Sequence, residues 1–216
     1  MEPNKQALFG SGINRLEALT DGVFSIVMTL LVFNIQLPKD ATITNLRQEL
    51  FDMWPSFVAY SISFGMAGIY WSANHNMCRF IRRSSHELVW LTIFFLATVS
   101  LLPFSTGLLS RFHDQVTALL FYGVNLELIG LSLFWIWCHS TRTRRLTDPS
   151  LPDDVIRFGR SRIVAGIVGY AIATCLAFWN PTASLTAFLV IPLLYVLPPV
   201  QRIWTEWYGI SSETQG

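Results

Sequence analysis

The chain has 216 residues, of which 52% are apolar types, 14% aromatic and only 13% charged, with a formal net charge of +1. Soluble domains carry about 25% charged residues, and disordered chains and nucleic-acid-binding domains need more charge than this one holds, so both classes are excluded. The three cysteines, Cys78, Cys138 and Cys175, are scattered and suggest neither a disulfide framework nor a zinc site.

A helix needs about 20 mostly apolar residues to cross a bilayer. The first uncharged stretch, residues 22–38, lies between Asp21 and Lys39. Residues 53–78 and 88–110 follow, and 115–141 is interrupted only by Glu127. Residues 163–201 are bounded by Arg162 and Arg202. At ~1.5 Å per residue that last stretch would reach ~58 Å, against ~30 Å of hydrocarbon. Trp179-Asn180-Pro181-Thr182 near its middle reads as a turn, so it divides into two short helices. The expectation is an all-α membrane protein, one transmembrane domain over 1–216. Its six spans are at about 16–37, 54–77, 88–110, 116–139, 163–179 and 183–201. The segments 36–52 and 142–162 are the sizeable loops. No cleavable signal is apparent before the first span.

Charge asymmetry supports the count. With both termini cytosolic, the inner segments hold Lys5, Arg15, Arg79, Arg82, Arg83, Arg142, Arg144, Arg145, Arg157, Arg160, Arg162 and Arg202, while the outer segments hold only Lys39, Arg47 and Arg111. That bias fits the positive-inside rule.

Charged groups inside a span cost about 2.5–3.5 kcal/mol each at its centre, so each needs a reason. Arg15 and Asp21, at the start of the first span, are six residues apart and are poorly spaced to pair with each other. Trp71, His75 and Arg79 repeat every four residues on one face at the end of the second span, with Asn74 beside them. The two clusters fall at the same membrane face and can meet as a neutralised network. Such a network can simply lock two helices together, or it can position the first helix around a permeation path.

Beyond Asp21, Ile26, Leu30 and Phe33 follow i, i+4, i+7 spacing, and Gly22, Ile26, Thr29 and Phe33 follow a heptad seam. In a lone subunit this stripe would be core packing. Around the axis of a symmetric oligomer it would line a narrow apolar constriction of the kind that gates by dewetting, and the small residue at 22 would permit close helix approach.

Glu127, with Asn125 two residues before it, is the deepest acid. It is either a proton or cation site or a protonated acid bonded to a neighbouring helix. Pro103 in the third span predicts a kink, with Ser100, Ser105 and Thr106 re-satisfying freed backbone groups. Trp54, Trp90, Trp135, Trp137, Trp204 and Trp207 fall near span ends as an aromatic belt. The chain carries no T-V-G-Y-G filter, Walker A loop, G-x-G-x-x-G, H-E-x-x-H or G-x-S-x-G sequence. No enzyme, cofactor or metal site is expected.

Arg15-Leu16-Glu17-Ala18-Leu19-Thr20-Asp21 resembles the first-helix signature R-x-x-x-F-S-D of the transmembrane protein 175 family, potassium channels of endosomes and lysosomes with six-span relatives in bacteria and archaea. Leu19 and Thr20 replace phenylalanine and serine, keeping one bulky apolar and one hydroxyl residue. Gly22 to Val32, Trp71-x-x-x-His75-x-x-x-Arg79-Phe80 and Leu102-Pro103-Phe104-Ser105-Thr106 are similar as well.

The resemblance implies a homotetramer in the lipid bilayer of a prokaryotic plasma membrane, with the first helix of each subunit lining a central pore. It implies a constriction at Ile26, further pore-facing positions at Thr29, Leu30 and Phe33, and a supporting network of Arg15, Thr20, Asp21, Trp71, His75 and Arg79. The function it implies is a potassium-preferring monovalent cation channel, with potassium as permeant and no cofactor. The alternative is a proton-coupled transporter or proton leak pathway using Glu127 and His75. A third reading is a non-conducting membrane scaffold.

Overall fold

The computed structural model describes residues 5–36, 46–142, 144 and 146–196, with the side chains of 5–12 and 196 left aside. The basic residues Lys39, Arg145 and Arg202, the belt residues Trp204 and Trp207, and the end of the last span lie outside the described residues. Every named element is helical: α1 (Lys5–Leu30), continued by a 3-10 turn (Leu31–Asn34), α2 (Leu46–Asp52), α3 (Trp54–Cys78), α4 (His86–Ser100), α5 (Leu102–Arg111), α6 (Val116–Arg142), α7 (Asp153–Leu176) and α8 (Pro181–Val196).

Among the described residues, three helical stretches are long and apolar enough to cross a membrane: Ile13–Asn34, His86–Arg111 and Val116–Arg142. Pro181–Tyr195 is apolar but shorter. α3 is diluted by Pro, Trp, Tyr, Ser and Gly along its length, and α7 opens on Asp153, Asp154, Arg157, Arg160 and Arg162.

Several boundaries differ from the sequence expectation. α1 starts at Lys5, well before the first apolar residue of the span, because no proline interrupts Gln6–Asn14 and the helix runs on through Gly10 and Gly12. The segment 36–52 is not all loop: Leu46–Asp52 forms α2, tied to the next helix by the Met53 amide donating to the Glu49 carbonyl. α7 begins at Asp153, ten residues before the expected span, because Pro152 stops the preceding chain and the two aspartates suit a helix N-terminus.

The turn at residues 177–180 stands where Trp179-Asn180-Pro181 places it. The Asn180 side chain accepts from the Ala183 amide at the start of α8, and Pro181 needs no amide partner there.

The third apolar stretch breaks at Leu101, ahead of Pro103. The hydroxyls expected to repair the break bond carbonyls of their own turns: Ser100 to Leu96, and Ser105 and Thr106 to Leu102. The repair comes from another helix. Asn125 of α6 donates to the Thr98 carbonyl at 2.9 Å and accepts from the Ser105 hydroxyl at 2.9 Å.

α6 is the central post, packed on α4, α5, α7 and α8. Tyr122 of α6 meets Phe188 of α8 edge-on at 5.3 Å, and Tyr170 of α7 stacks on Phe188 at 6.2 Å. Polar cross-links run through this core. The Thr106 hydroxyl donates to Ser63, which bonds the Tyr122 hydroxyl, and the Tyr70 hydroxyl donates to the Leu126 carbonyl. Without water to take these groups, each must find a protein partner. Trp137 is not a belt residue: it is 3% exposed and donates its indole proton to the Ile156 carbonyl, joining α6 to the start of α7. Trp54, Trp90 and Trp135 are exposed as a belt requires.

The α3–α4 and α6–α7 connections meet at one end of the bundle. Ile81 and Thr147 form an isolated antiparallel bridge, with the Arg82 amide donating to Leu146 and the Asp148 amide to Phe80.

Candidate functional site

α1 has two faces. Ile13, Thr20, Phe24, Val27 and Leu31 are buried, and Phe24 meets Phe95 of α4 at 5.8 Å. This set repeats at helical spacing and holds α1 against the bundle. Thr20 is 1% exposed and satisfies its hydroxyl on the Leu16 carbonyl one turn back at 2.9 Å. It is therefore a buried packing residue with an internal bond.

The opposite face carries the stripe. Ile26 is 60% exposed, Leu30 43% and Phe33 67%, with Gly22, Ser25 and Thr29 exposed among them. The stripe is not core packing within this chain. A Cβ built on Gly22 would meet nothing within 4 Å, so that position is open as well. The Thr29 hydroxyl is turned back along the helix onto the Ile26 carbonyl at 2.8 Å and the Ser25 carbonyl at 3.1 Å. Its proton is used inside the helix, and its oxygen lone pairs are left for whatever lies on the exposed side.

Two points fix this helix. At the far end the Asn34 side chain donates to the Pro103 carbonyl at 2.9 Å. Gly107 makes room for it: a Cβ there would come within 2.7 Å of the Asn34 carboxamide oxygen. The near anchor is a pair of contacts to the last turns of α3. The Trp71 indole donates to Asp21 Oδ1 at 2.8 Å. His75 Nδ1 lies 3.1 Å from Glu17 Oε1, as an ionic approach without a directed hydrogen bond. Trp71 and His75 stack with ring centroids 5.4 Å apart and planes 18° apart. Thus two carboxylates four residues apart on α1 face two rings four residues apart on α3.

The geometry gathers Asp21, Trp71 and His75, and Thr20 is buried beside them. Arg15 and Arg79 are not gathered. Both are exposed, and neither makes a side-chain hydrogen bond or ion pair among the described residues. Long arginine side chains at the end of a span reach water more cheaply than they bury a guanidinium. Asn74 is buried, and its side chain donates to the Cys78 sulfur at 3.7 Å.

Sequence reasoning missed Glu17 and Asn34. The signal for Glu17 was available: it lies one helical turn before Asp21, as Trp71 does before His75. Asn34 gave no such signal, because its partner is a backbone carbonyl 69 residues away.

Glu127 stands apart from all of this. It is half-buried on the α6 face that carries Gly123 and Gly130, which press on Thr174 and Ile167 of α7. Its Oε1 is buried and has no hydrogen-bond partner among the described residues. Asn125, two positions earlier, points to α4 and α5 and does not share its surroundings. No hydrogen bond or ion pair joins Glu127 to His75 among the described residues.

Residues 15–103, which hold the α1 stripe, both carboxylates and the α3 rings, match the profile of the family described as endosomal/lysosomal potassium channel TMEM175. A potassium channel of Streptomyces collinus is 32% identical over 185 residues, covering 84% of this chain and 90% of that protein. A potassium channel of Chamaesiphon minutus is 28% identical over 87% of this chain and 95% of its own length. The endosomal/lysosomal proton channel TMEM175 of Mus musculus is 30% identical over 76% of this chain, which spans 35% of that longer protein. Among solved structures, a lysosomal potassium-selective channel TMEM175 homolog from Chamaesiphon minutus superposes with a TM-score of 0.76. It is 24% identical and is covered to 96%, against 86% of this chain. With that extent of likeness to full-length relatives, this chain belongs to the TMEM175 family, a family of ion channels rather than enzymes.

Proposed function

We propose that this protein is a potassium-preferring monovalent cation channel of a prokaryotic plasma membrane. In this reading it is a homotetramer with six crossings per subunit and both termini cytosolic. Four copies of α1 surround the pore, Ile26 forms its narrowest ring, and Thr29, Leu30 and Phe33 line the rest. The observation that carries the reading is the exposed apolar stripe at Ile26, Leu30 and Phe33, on a helix whose other face is fully engaged with its own subunit. The names of the bacterial relatives supply the permeant ion.

The stripe explains selectivity in outline. A ring of isoleucines offers no ligand, so an ion crossing it keeps or briefly sheds water, and the barrier follows ring diameter and hydration cost. Thr29, with its proton committed to the backbone, offers an oxygen one turn further along. Asp21 and Glu17 place negative charge at the near end of the helix, where it raises the local cation concentration.

Purified protein in liposomes under a potassium gradient should show passive flux that falls when sodium replaces potassium. Ile26→Asn should raise flux roughly tenfold, a barrier change of about 1.4 kcal/mol, and bring the two ions closer together. Unchanged flux and discrimination in Ile26→Asn would remove Ile26 from the constriction.

A proton pathway is the second reading, favoured by the mammalian relatives' name. It predicts proton-driven flux that Glu127→Gln abolishes, and a reversal potential that follows the proton gradient.

A further inference from the structure

We propose that the outward face of α7 binds an anionic phospholipid, with the lipid phosphate at Arg160 and an acyl chain along Val164, Val168 and Ile172. α7 has three faces. Gly159, Ile167 and Thr174 press on Trp137, Gly130 and Gly123 of α6. Gly166 and Gly169 lie under Tyr195 and Ile191 of α8, and the Ser184 hydroxyl donates to the Ala173 carbonyl. The third face is left open: Arg160, Val164, Val168 and Ile172 follow i, i+4, i+8, i+12 spacing, and all four are exposed.

The ends of that face match the edges of a bilayer. Arg160 stands at one end, and exposed Phe178 and Trp179 stand at the other. At ~1.5 Å per residue Arg160 and Trp179 are ~28 Å apart, against ~30 Å of hydrocarbon. A cation at headgroup depth, branched aliphatic residues below it and aromatic rings at the far edge suit lipid as the occupant. α1 packs on α3, α4 and α5, and α7 on α6 and α8. The proposal rests on the reading in which α7 is a crossing and α1 lies at the axis, which turns α7 outward.

Charge singles out an anionic headgroup. The acids of the segment leading into α7 are already paired: Asp148 with Arg82, Asp153 with Arg144 and Asp154 with Arg157. Arg162 is turned to α8, with its guanidinium over the Tyr195 ring at 5.7 Å. Arg160 makes no side-chain hydrogen bond or ion pair among the described residues. Its planar fork suits a phosphate through paired N–H donors.

The test uses the full chain in nanodiscs of phosphatidylcholine, with Val168→Trp as reporter, ~12 Å along the helix from Arg160. The signal is its fluorescence minus that of the parent chain. Phosphatidylglycerol brominated in mid-chain should quench it at about fivefold lower mole fraction than brominated phosphatidylcholine, the preference one arginine gives at an anionic surface. Arg160→Gln in the reporter chain should bring the two lipids level while quenching persists. Arg83→Gln, at an exposed arginine after α3, removes the same charge and should leave the preference intact. Should Val168→Trp fail to assemble, Ile172→Trp reports on the same stripe.

Equal quenching by the two lipids in the reporter chain, or a preference retained in Arg160→Gln, would overturn the proposal and leave the α7 crossing standing. Quenching by neither lipid overturns it as well. The exposed Cys175 then tells why: reaction with a charged thiol reagent, measured against Cys175→Ser, means that α7 does not cross, and a silent thiol means that a second copy covers the stripe.

Discussion

The smallest feature that governs packing in this molecule is an absent side chain. A Cβ on Gly123 would fall 2.0 Å from the Thr174 hydroxyl and 2.8 Å from its methyl group. Thr174 has little freedom to retreat, since its hydroxyl is bonded to the Tyr170 carbonyl. Small residues at a membrane helix contact let backbones approach closely, and dispersion between the closely packed surfaces replaces the missing hydrophobic drive. Gly123→Ala should therefore lower the stability of the detergent-solubilised protein by about 1–3 kcal/mol, the usual cost of overpacking. Thr174→Ala in the same chain should recover part of it, with thermal unfolding as the measurement.

At the scale of elements, the break between α4 and α5 shows how a helix interruption survives inside a bundle. Proline removes one amide, and the chain loses the regular ladder across Leu101. Asn125 takes over on the α6 side by serving the Thr98 carbonyl, and Asn34 adds a bond to the Pro103 carbonyl from the α1 side. The kink is thus gripped by two neighbouring elements, one of which continues the helix bearing the Ile26 stripe. Asn125→Ala should cost about 1–2 kcal/mol, because it removes two buried hydrogen bonds and leaves the Thr98 carbonyl to the Leu101 amide and the Ser105 hydroxyl to the Leu102 carbonyl alone. A thermal midpoint lowered in Asn125→Ala, with helix content by circular dichroism unchanged, would match that expectation. Pro103 itself is legible in the sequence. Its clamps are not, because they come from residues 22 and 69 positions away in the chain.

For the molecule as a whole, the connections at one end form a clip. Arg82 pairs with Asp148 at 3.3 Å across the Ile81–Thr147 bridge. The Asp148 carboxyl is held below its usual range, chiefly by the Ser150 hydroxyl and amide, and next by Arg82. A carboxyl whose folded value is depressed contributes stability that is present above its unfolded value, near pH 3.9, and lost as pH falls through the folded value. The clip should accordingly hold at neutral pH and loosen below about pH 4. Limited proteolysis of the 142–152 connection with pepsin across pH 2–5 should show cleavage rising at the acid end. Scaled to the cleavage of an unfolded reference peptide at each pH, the wild-type rate should rise at the acid end and that of Asp148→Asn should stay flat.

Composition and periodicity alone determined that this is a helical membrane protein, because low charge and long apolar stretches leave a chain few other ways to satisfy its backbone. They also marked the Asn180-Pro181 turn, the Pro103 break and the α1 stripe, since each is a local property of neighbouring residues. Only the tertiary structure decided which side of α1 faces the rest of the helical bundle. Ile26 and Phe24 are both apolar, and burial separates them by which neighbours they meet and not by what they are. The same holds for Glu17 over Arg15 as the partner of α3, and for Trp137 as a core residue. Each of those outcomes depends on how helices distant in sequence rotate against one another, which no local pattern records.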